Sequence, residues 1–355
     1  GGSETYLRET LRALARRPER PHLVLFSNAE NDALLRAEFP AAEVVETGIA
    51  AANRFVRILA EQIQLPRLVR RARIDVLWSP GYTAPAFCPC PQVVSILDVQ
   101  YKRFPQDVSW LAARTMDVLY PSSARRCAAV VAISEFAKSE IVRFLGVPPE
   151  KVTVTLLAAD PAFGEPAGPP PAALAGAPYV LCVAHTYPHK NVALLVRAFN
   201  RIAGEIPHRL VLVGKPRFGE PEVVAALANS PPGRVVRFPG LPWRELIALY
   251  QHADGFVFPS LYEGFGLPVL EAMRAGTPVL TTREASIPEI GGDGVRYADG
   301  RDEAAFAAAL RAATVLPPVE RARLVAAARQ RAAGFTWEAS AERLWLVLKR
   351  TAARK

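Results

Sequence analysis

Two carboxylates and a short run of glycines between residues 256 and 281 carry the clearest chemistry in this sequence: Phe256-Val-Phe-Pro-Ser-Leu-Tyr-Glu263-Gly-Phe-Gly-Leu-Pro268-Val-Leu-Glu271-Ala-Met-Arg-Ala-Gly276-Thr-Pro-Val-Leu-Thr281. The stretch reads as an apolar strand, a loop opened by Pro259-Ser260, and a helix starting near Pro268, where proline's missing N–H costs nothing. Leu267, Leu270, Glu271 and Ala275 recur at helical spacing, and Gly276-Thr277-Pro278 stops the helix before a second strand. Glycines that let backbone N–H groups approach a ligand, feeding a helix N-terminus, make a place where anionic phosphate is stabilised. Glu263 falls in the loop and Glu271 in the second helical turn, so one can face a ligand while the other reaches over the helix start.

The elements that must position these groups alternate strand and helix along the chain. Strands are expected at 23–26, 44–45, 75–78, 93–97, 130–133 and 152–156, then at 179–183, 210–213, 235–238, 255–258 and 279–282. Helical patterns fill the intervals, including 3–16, 53–71, 108–126, 192–206, 267–275 and two alanine- and arginine-rich tail segments at 320–333 and 338–351. This is the signature of parallel sheets wrapped by helices. The expected fold class is α/β, with two Rossmann-like doubly wound domains and a cleft between them. Residues 1–163 form the first domain, 164–177 a proline- and glycine-rich linker, 178–337 the second domain, and 338–355 a helix placed to pack back on the first. In such sheets ligands bind beyond the carboxyl ends of the strands, where the Glu263–Gly266 loop falls. Gly1-Gly2 opens a helix at once, although a glycine turn of this kind ordinarily follows a strand. The expectation is that the chain begins after such a strand, or that the first sheet lacks one near its centre.

Composition narrows the partners. The 355 residues suit two domains, and no apolar run approaches the roughly 20 needed to span a bilayer. No basic-then-apolar leader opens the chain, so a cytoplasmic location is expected. Cys88, Cys90, Cys127 and Cys182 are scattered, which favours structural thiols in a reducing compartment over a zinc site. The net charge of +9 favours acidic partners. Its densest patch is Arg54, Arg57, Arg67, Arg70, Arg71 and Arg73, with Leu59, Ile63, Leu65 and Leu68 on the same segment. That segment reads either as a solvated helix face or as one that rests peripherally on an anionic membrane. Nucleic acid is not expected, since no reader motif accompanies the charge.

The stretch Pro259-Ser-Leu-Tyr-Glu263-Gly-Phe-Gly-Leu-Pro268-x-Leu-Glu271-Ala-Met-x-Ala-Gly276-x-Pro278 resembles the paired-glutamate motif of the retaining glycosyltransferases of family 4, which have the GT-B fold. Tyr179–Phe199 is similar to the family segment that opens the second domain and supplies a diphosphate-binding lysine, here Lys190. Further similarities are Val236-Arg-Phe-Pro-Gly240, Leu249-Tyr-x-x-Ala-Asp254, Ile133-Ser-Glu-Phe136 with Gly146-Val-Pro148, and Asp75-Val-Leu-Trp-Ser-Pro80. The last looks like family members that build bacterial surface polysaccharides as mannosyl- or glucosyltransferases.

The resemblance implies an acceptor domain followed by a donor domain, and transfer of a hexose from a GDP- or UDP-linked sugar to a hydroxyl of a glycan or lipid-linked acceptor. Lys190, with the dipole of the helix it precedes, would neutralise the leaving diphosphate. Glu271 would accept hydrogen bonds from the two ribose hydroxyls and Glu263 would hold a hydroxyl of the sugar. Backbone groups of Gly264, Phe265, Gly266 and Leu267 would contact sugar and phosphate, Leu241 the base, and Gly2 the phosphate or the acceptor. Two positions depart from the family pattern. Leu97-Asp98 stands where a His-Asp pair is common, so that the donor differs, Asp98 or Gln100 compensates, or activity is low. His185 and His189 stand before the lysine where many members have an arginine. The transition state would be oxocarbenium-like, with the leaving phosphate oxygen itself deprotonating the acceptor. No Asp-x-Asp pair is present to hold a metal, and no cofactor is expected. The alternatives are a sugar-phosphate synthase or epimerase of the same fold, and a catalytically silent nucleotide or sugar binder.

Overall fold

The computed structural model describes residues 2–19, 21–48, 54–174 and 176–353, and the chain folds as two units. The first takes in residues up to Val99, then Arg114–Leu157 and the segment from Trp337; the second takes in Gln100–Ala113 and Ala158–Thr336.

The first unit runs α1 (Gly2–Ala15), β1 (Val24–Ser27), α2 (Asp32–Glu38), β2 (Glu43–Glu46), α3 (Arg54–Arg71), β3 (Leu77–Ser79), β4 (Gln92–Ser95), α4 (Trp110–Arg126), β5 (Ala129–Ala132), α5 (Glu135–Leu145) and β6 (Val152–Val154). Among the described residues β1 and β2 make one parallel ladder, and β3-β4-β5-β6 make a separate parallel sheet in sequence order. The middles of β4 and β5 are apolar because parallel strands are covered on both faces; Val93, Val94, Val130 and Val131 are fully buried. α5 shows how local sequence sets an element. The Ser134 hydroxyl accepts the Ala137 N–H at 2.9 Å at its start, and Gly146 ends it in the left-handed conformation at φ 64°.

The second unit runs β7 (Tyr179–Val183), α6 (Val192–Ile202), β8 (Arg209–Val213), α7 (Glu220–Leu227), β9 (Val235–Phe238), α8 (Trp243–His252), β10 (Gly255–Phe258), α9 (Leu267–Ala275), β11 (Val279–Thr281), α10 (Ile287–Gly291), β12 (Arg296–Tyr297), α11 (Glu303–Thr314) and α12 (Pro318–Ala333). Its parallel sheet has the order β9-β8-β7-β10-β11-β12, a doubly wound Rossmann order that reverses between β7 and β10. Leu195, Phe199, Leu210, Val257, Phe306 and Leu310 form part of the core on one face.

The final helix, α13 (Trp337–Ala352), belongs to the first unit and packs on α1, where the Arg17 guanidinium pairs with Glu342 and lies 5.9 Å from the centre of the Trp345 ring. The proline-rich stretch from 161 to 174 behaves differently from a free linker. Phe163 and Leu174 are buried, and the Gln251 amide donates to the carbonyls of Phe163 and Glu165, so this stretch is part of the second unit. Two buried apolar side chains in an irregular segment gave it a packing role that its proline content hides.

The arginine-rich helix α3 is oriented by Leu65 and Val69, which pack inward with Leu77 and Cys90. Leu59 and Ile63 are 61% and 47% exposed, on the same side as the exposed Arg67 and Arg70. The side chains of Arg54 and Arg57, like Gly1 and Asn53, lie outside the described residues. No described helix is long and apolar enough to cross a membrane.

Candidate active site

Strand order reverses between β7 and β10, and the carboxyl ends of the strands at such a reversal are where open α/β sheets take their ligands. The segments leaving these two strands carry Lys190 and Glu263, and the fold brings the two side chains together. Lys190 Nζ donates to Glu263 Oε1 at 2.6 Å and lies 5.4 Å from the centre of the Phe258 ring. Both side chains are mostly covered, at 19% and 10% exposure.

Each is held by backbone geometry. Lys190 ends a 3-10 turn, Pro188–Lys190, and Asn191 follows in the left-handed conformation at φ 57°. The Asn191 amide stabilises that uncommon backbone by donating to the Gly300 carbonyl at 2.7 Å. On the other segment the Ser286 hydroxyl donates to the Glu263 carbonyl at 2.9 Å, and the Ser260 hydroxyl donates to the Tyr262 carbonyl at 3.0 Å. Gly266 takes φ 95° immediately before Leu267 and Pro268 start α9, a conformation that disfavours any side chain. Gly264, Phe265, Gly266 and Leu267 therefore follow Glu263 into the helix N-terminus as expected from the sequence, with the Phe265 ring turned inward against Phe335.

Glu271 lies one helical turn deeper and has a separate partner. The Tyr250 hydroxyl donates to Glu271 Oε2 at 2.9 Å. Burial pushes this carboxyl up to about 7, against the opposing effect of the Tyr250 hydrogen bond, and the nearby Asp160 adds to the rise. An acid held near neutrality in a crevice is poised to gain from ligand hydroxyls that donate to its ionised form.

The histidines differ from each other. His185 Nδ1 accepts the Lys215 N–H at 3.0 Å, and burial, then the cations of Arg217, Lys190 and Lys215, hold its pKa below the usual value. Its neutral ring is thereby favoured over the cation. The cations near it are Lys215 and Arg217, which sequence reading missed because they follow β8 rather than β7. His189 is buried and bonded to Asp107 at 2.6 Å, a partner 82 positions away. Leu241 is half-buried ahead of α8, beside Gly240, whose position has open space for a Cβ.

Asp98 and Gly2 belong to the first unit. Asp98 accepts from the Tyr82 hydroxyl at 3.4 Å, and the Tyr82 ring stacks on Tyr120 with centres 5.1 Å apart. Gly2 begins α1 in open space, so no close approach within the described residues requires its glycine. Among the described residues no three His, Cys, Asp or Glu side chains gather as a metal-ligating cluster.

Residues 1–163 match the family model described as Glycosyltransferase Family 4, and residues 177–314 match the one described as Glycosyl transferases group 1. The chain is 33% identical over 188 residues to the O-antigen chain mannosyltransferase B of Escherichia coli, a match covering 50% of this chain and 49% of that protein. It is 31% identical over 237 residues to an MMP alpha-(1->4)-mannosyltransferase of Mycolicibacterium hassiacum, covering 65% of this chain and 56% of that one. The chain thus spans about half the length of these relatives. In three dimensions it is similar to Anabaena HepE solved with UDP and glucose, at a TM-score of 0.75 and 18% identity, covering 99% of this chain and 96% of the other. With glycosyltransferase family models matched over residues 1–163 and 177–314, which together make up most of the chain, it belongs to the group 1, family 4 glycosyltransferases.

Proposed function

We propose that the chain is a retaining glycosyltransferase that moves a hexose from a GDP- or UDP-linked sugar to a hydroxyl of a glycan or lipid-linked acceptor. The observation that carries the reading is the Lys190–Glu263 pair at the carboxyl ends of β7 and β10, above a sheet that reverses between them. A diphosphate entering there is a stronger and doubly bridging anion for Lys190 than one carboxylate. As the ammonium turns to it, Glu263 is released to accept from a sugar hydroxyl. Glu271, next to Tyr250, accepts from the ribose hydroxyls, and the N–H groups before α9 face the phosphate or sugar oxygens.

In the transfer step the bond between the anomeric carbon and the phosphate oxygen breaks as positive charge grows on the sugar. Lys190 and the helix N-terminus stabilise the negative charge that collects on the diphosphate. The departing phosphate oxygen takes the proton of the acceptor hydroxyl, whose oxygen bonds to the same face of the sugar. The names of the two relatives favour a mannosyl donor.

The reading includes a cytoplasmic protein resting on the inner face of an anionic membrane through α3. Val56, Leu59 and Ile63 are exposed on one helical face that Arg67 and Arg70 continue, an apolar stripe with cations beside it. The deciding experiment measures the melting temperature with GDP, UDP and ADP, since a ligand stabilises according to its affinity for the folded state. One of the three should raise it by several degrees in the native protein and by much less in Glu271→Ala. No shift with any of them removes the reading.

A further inference from the structure

A second polar cluster lies directly behind Lys190 and takes no part in the chemistry described so far. His189 Nδ1 lies 2.6 Å from Asp107 Oδ2, and the Gln100 amide nitrogen lies 2.5 Å from the same oxygen. Both side chains of the pair are buried, at 3% and 0% exposure, and Asp107 Oδ1 accepts no hydrogen bond among the described residues. The His189 ring is packed between aromatic neighbours, stacked on Tyr187 at 5.7 Å and tilted against Phe104 at 5.9 Å. Its backbone carbonyl accepts the Leu261 N–H at 2.8 Å and lies 3.3 Å from the Ser260 hydroxyl, whose one proton it shares with the Tyr262 carbonyl. One residue therefore ties down the turn that carries Lys190 and the loop that leads to Glu263.

We propose that Asp107 and His189 are a positioning pair that holds Lys190 and the Ser260–Glu263 loop in register for the leaving diphosphate. The inference rests on the donor-site reading above. Geometry gives its direction. Asp107 is supplied by residues 100–113, a segment that follows β4 and runs into the first turn of α4 in sequence but folds with the second unit. A carboxylate with one oxygen unpaired costs stability when buried, and breaches of local satisfaction concentrate where a functional geometry is held. Fixing the imidazole on Asp107 through Nδ1 locks the ring, the ring locks the backbone at 188–190, and Lys190 follows by one peptide bond. Misplacing a catalytic charge by about 1 Å can cost 10²-fold in rate without a comparable loss in binding.

The test compares Asp107→Asn, Asp107→Ala, His189→Asn and His189→Ala with the native protein and with Lys190→Ala. It measures nucleoside diphosphate release from GDP-mannose and UDP-glucose with water as the acceptor hydroxyl, melting temperature, and the shift produced by GDP and UDP. For Asp107→Ala and His189→Ala the expected result is a kcat lower by about 10²-fold with donor KM within about threefold. His189→Asn, whose amide nitrogen stands where Nδ1 stood, should recover most of that loss. The Asp107→Ala/His189→Ala double variant should lose little more than either single one, as residues acting as a unit do. Normal kcat in all four variants overturns the pair, as does a loss in His189→Asn equal to that in His189→Ala. Should the alanine variants fail to fold, the two asparagine variants decide. A native protein that neither releases diphosphate nor responds to nucleotide overturns the donor-site reading itself and the pair with it. Loss in Lys190→Ala with no loss at Asp107 or His189 overturns the pair alone.

Discussion

Lys190 and Glu263 neutralise each other at 2.6 Å across the ends of β7 and β10, so the candidate site holds its own cation in an internal ion pair. On the proposed function this pairing makes Glu263 a competitor of the diphosphate as well as a ligand of the sugar. Glu263→Gln removes the competitor and keeps the shape. The variant should bind the free nucleoside diphosphate at least as tightly as the native protein, read as an equal or larger melting shift. Transfer from the intact donor should fall by about 10²-fold, because an amide holds the sugar hydroxyl more weakly as charge develops. Lys190→Ala should lose both, nucleotide binding and turnover. Equal losses of GDP or UDP binding in the two variants would contradict the competition.

On the proposed function, Glu271 should make nucleotide binding depend on pH. Its folded-state value of about 7 lies above the ordinary 4.5, so in the nucleotide-free protein its contribution to stability is fully present below pH 4.5 and is lost as pH rises through 7. Ribose hydroxyls favour the ionised form, which lowers the value in the complex. Binding therefore releases a proton below pH 7, and affinity should rise up to tenfold per pH unit between about 5 and 7, then level off. Titration calorimetry in buffers of different ionisation heat reads the released proton directly. Glu271→Gln should bind weakly and lose this part of the pH dependence.

Much of the candidate site is legible in one dimension because it lies in one stretch. Glu263, Gly266, Pro268, Glu271 and Gly276 occur in the order strand, loop, helix, and the structure keeps that order from β10 through α9. What the sequence hides are pairings across large separations. Tyr250 beneath Glu271 reads only as one apolar position of α8, and Asp107 reads as a loop acid until the fold buries it against His189. β12 is two residues long, Arg296–Tyr297, too short for any periodicity to register. The segment from 161 to 174 was obscured by its prolines, since composition reports backbone stiffness and not the burial of Phe163 and Leu174.

Gly214 offers a test of the scaffold apart from the chemistry. It ends β8 at φ 156°, and a Cβ there would come 2.1 Å from the Ala184 carbonyl oxygen and 2.6 Å from its carbon. Backbone cannot yield as a flexible side chain does, so the β7–β8 ladder must part beside His185. Gly214→Ala should destabilise the fold by about 2–4 kcal/mol, read from urea unfolding. Gly240→Ala, whose Cβ meets nothing within 4 Å, should cost under about 1 kcal/mol.

The membrane reading of α3 separates charge from apolar insertion. Arg67 and Arg70 are exposed on the face that carries Val56, Leu59 and Ile63. Each arginine near an anionic surface contributes about 1 kcal/mol, an attraction that salt screens. Arg67→Glu/Arg70→Glu should therefore weaken co-sedimentation with phosphatidylserine-containing vesicles at low salt by more than tenfold, and raising salt should weaken the native protein in the same direction. Leu59→Asp/Ile63→Asp should weaken binding at every salt concentration, since it removes the buried apolar area and not only the attraction. Both pairs belong to the first unit and Lys190, Glu263 and Glu271 to the second, so release of diphosphate from soluble donor should stay near the native rate in both. Native protein that ignores anionic vesicles at low salt would leave α3 as a solvated face.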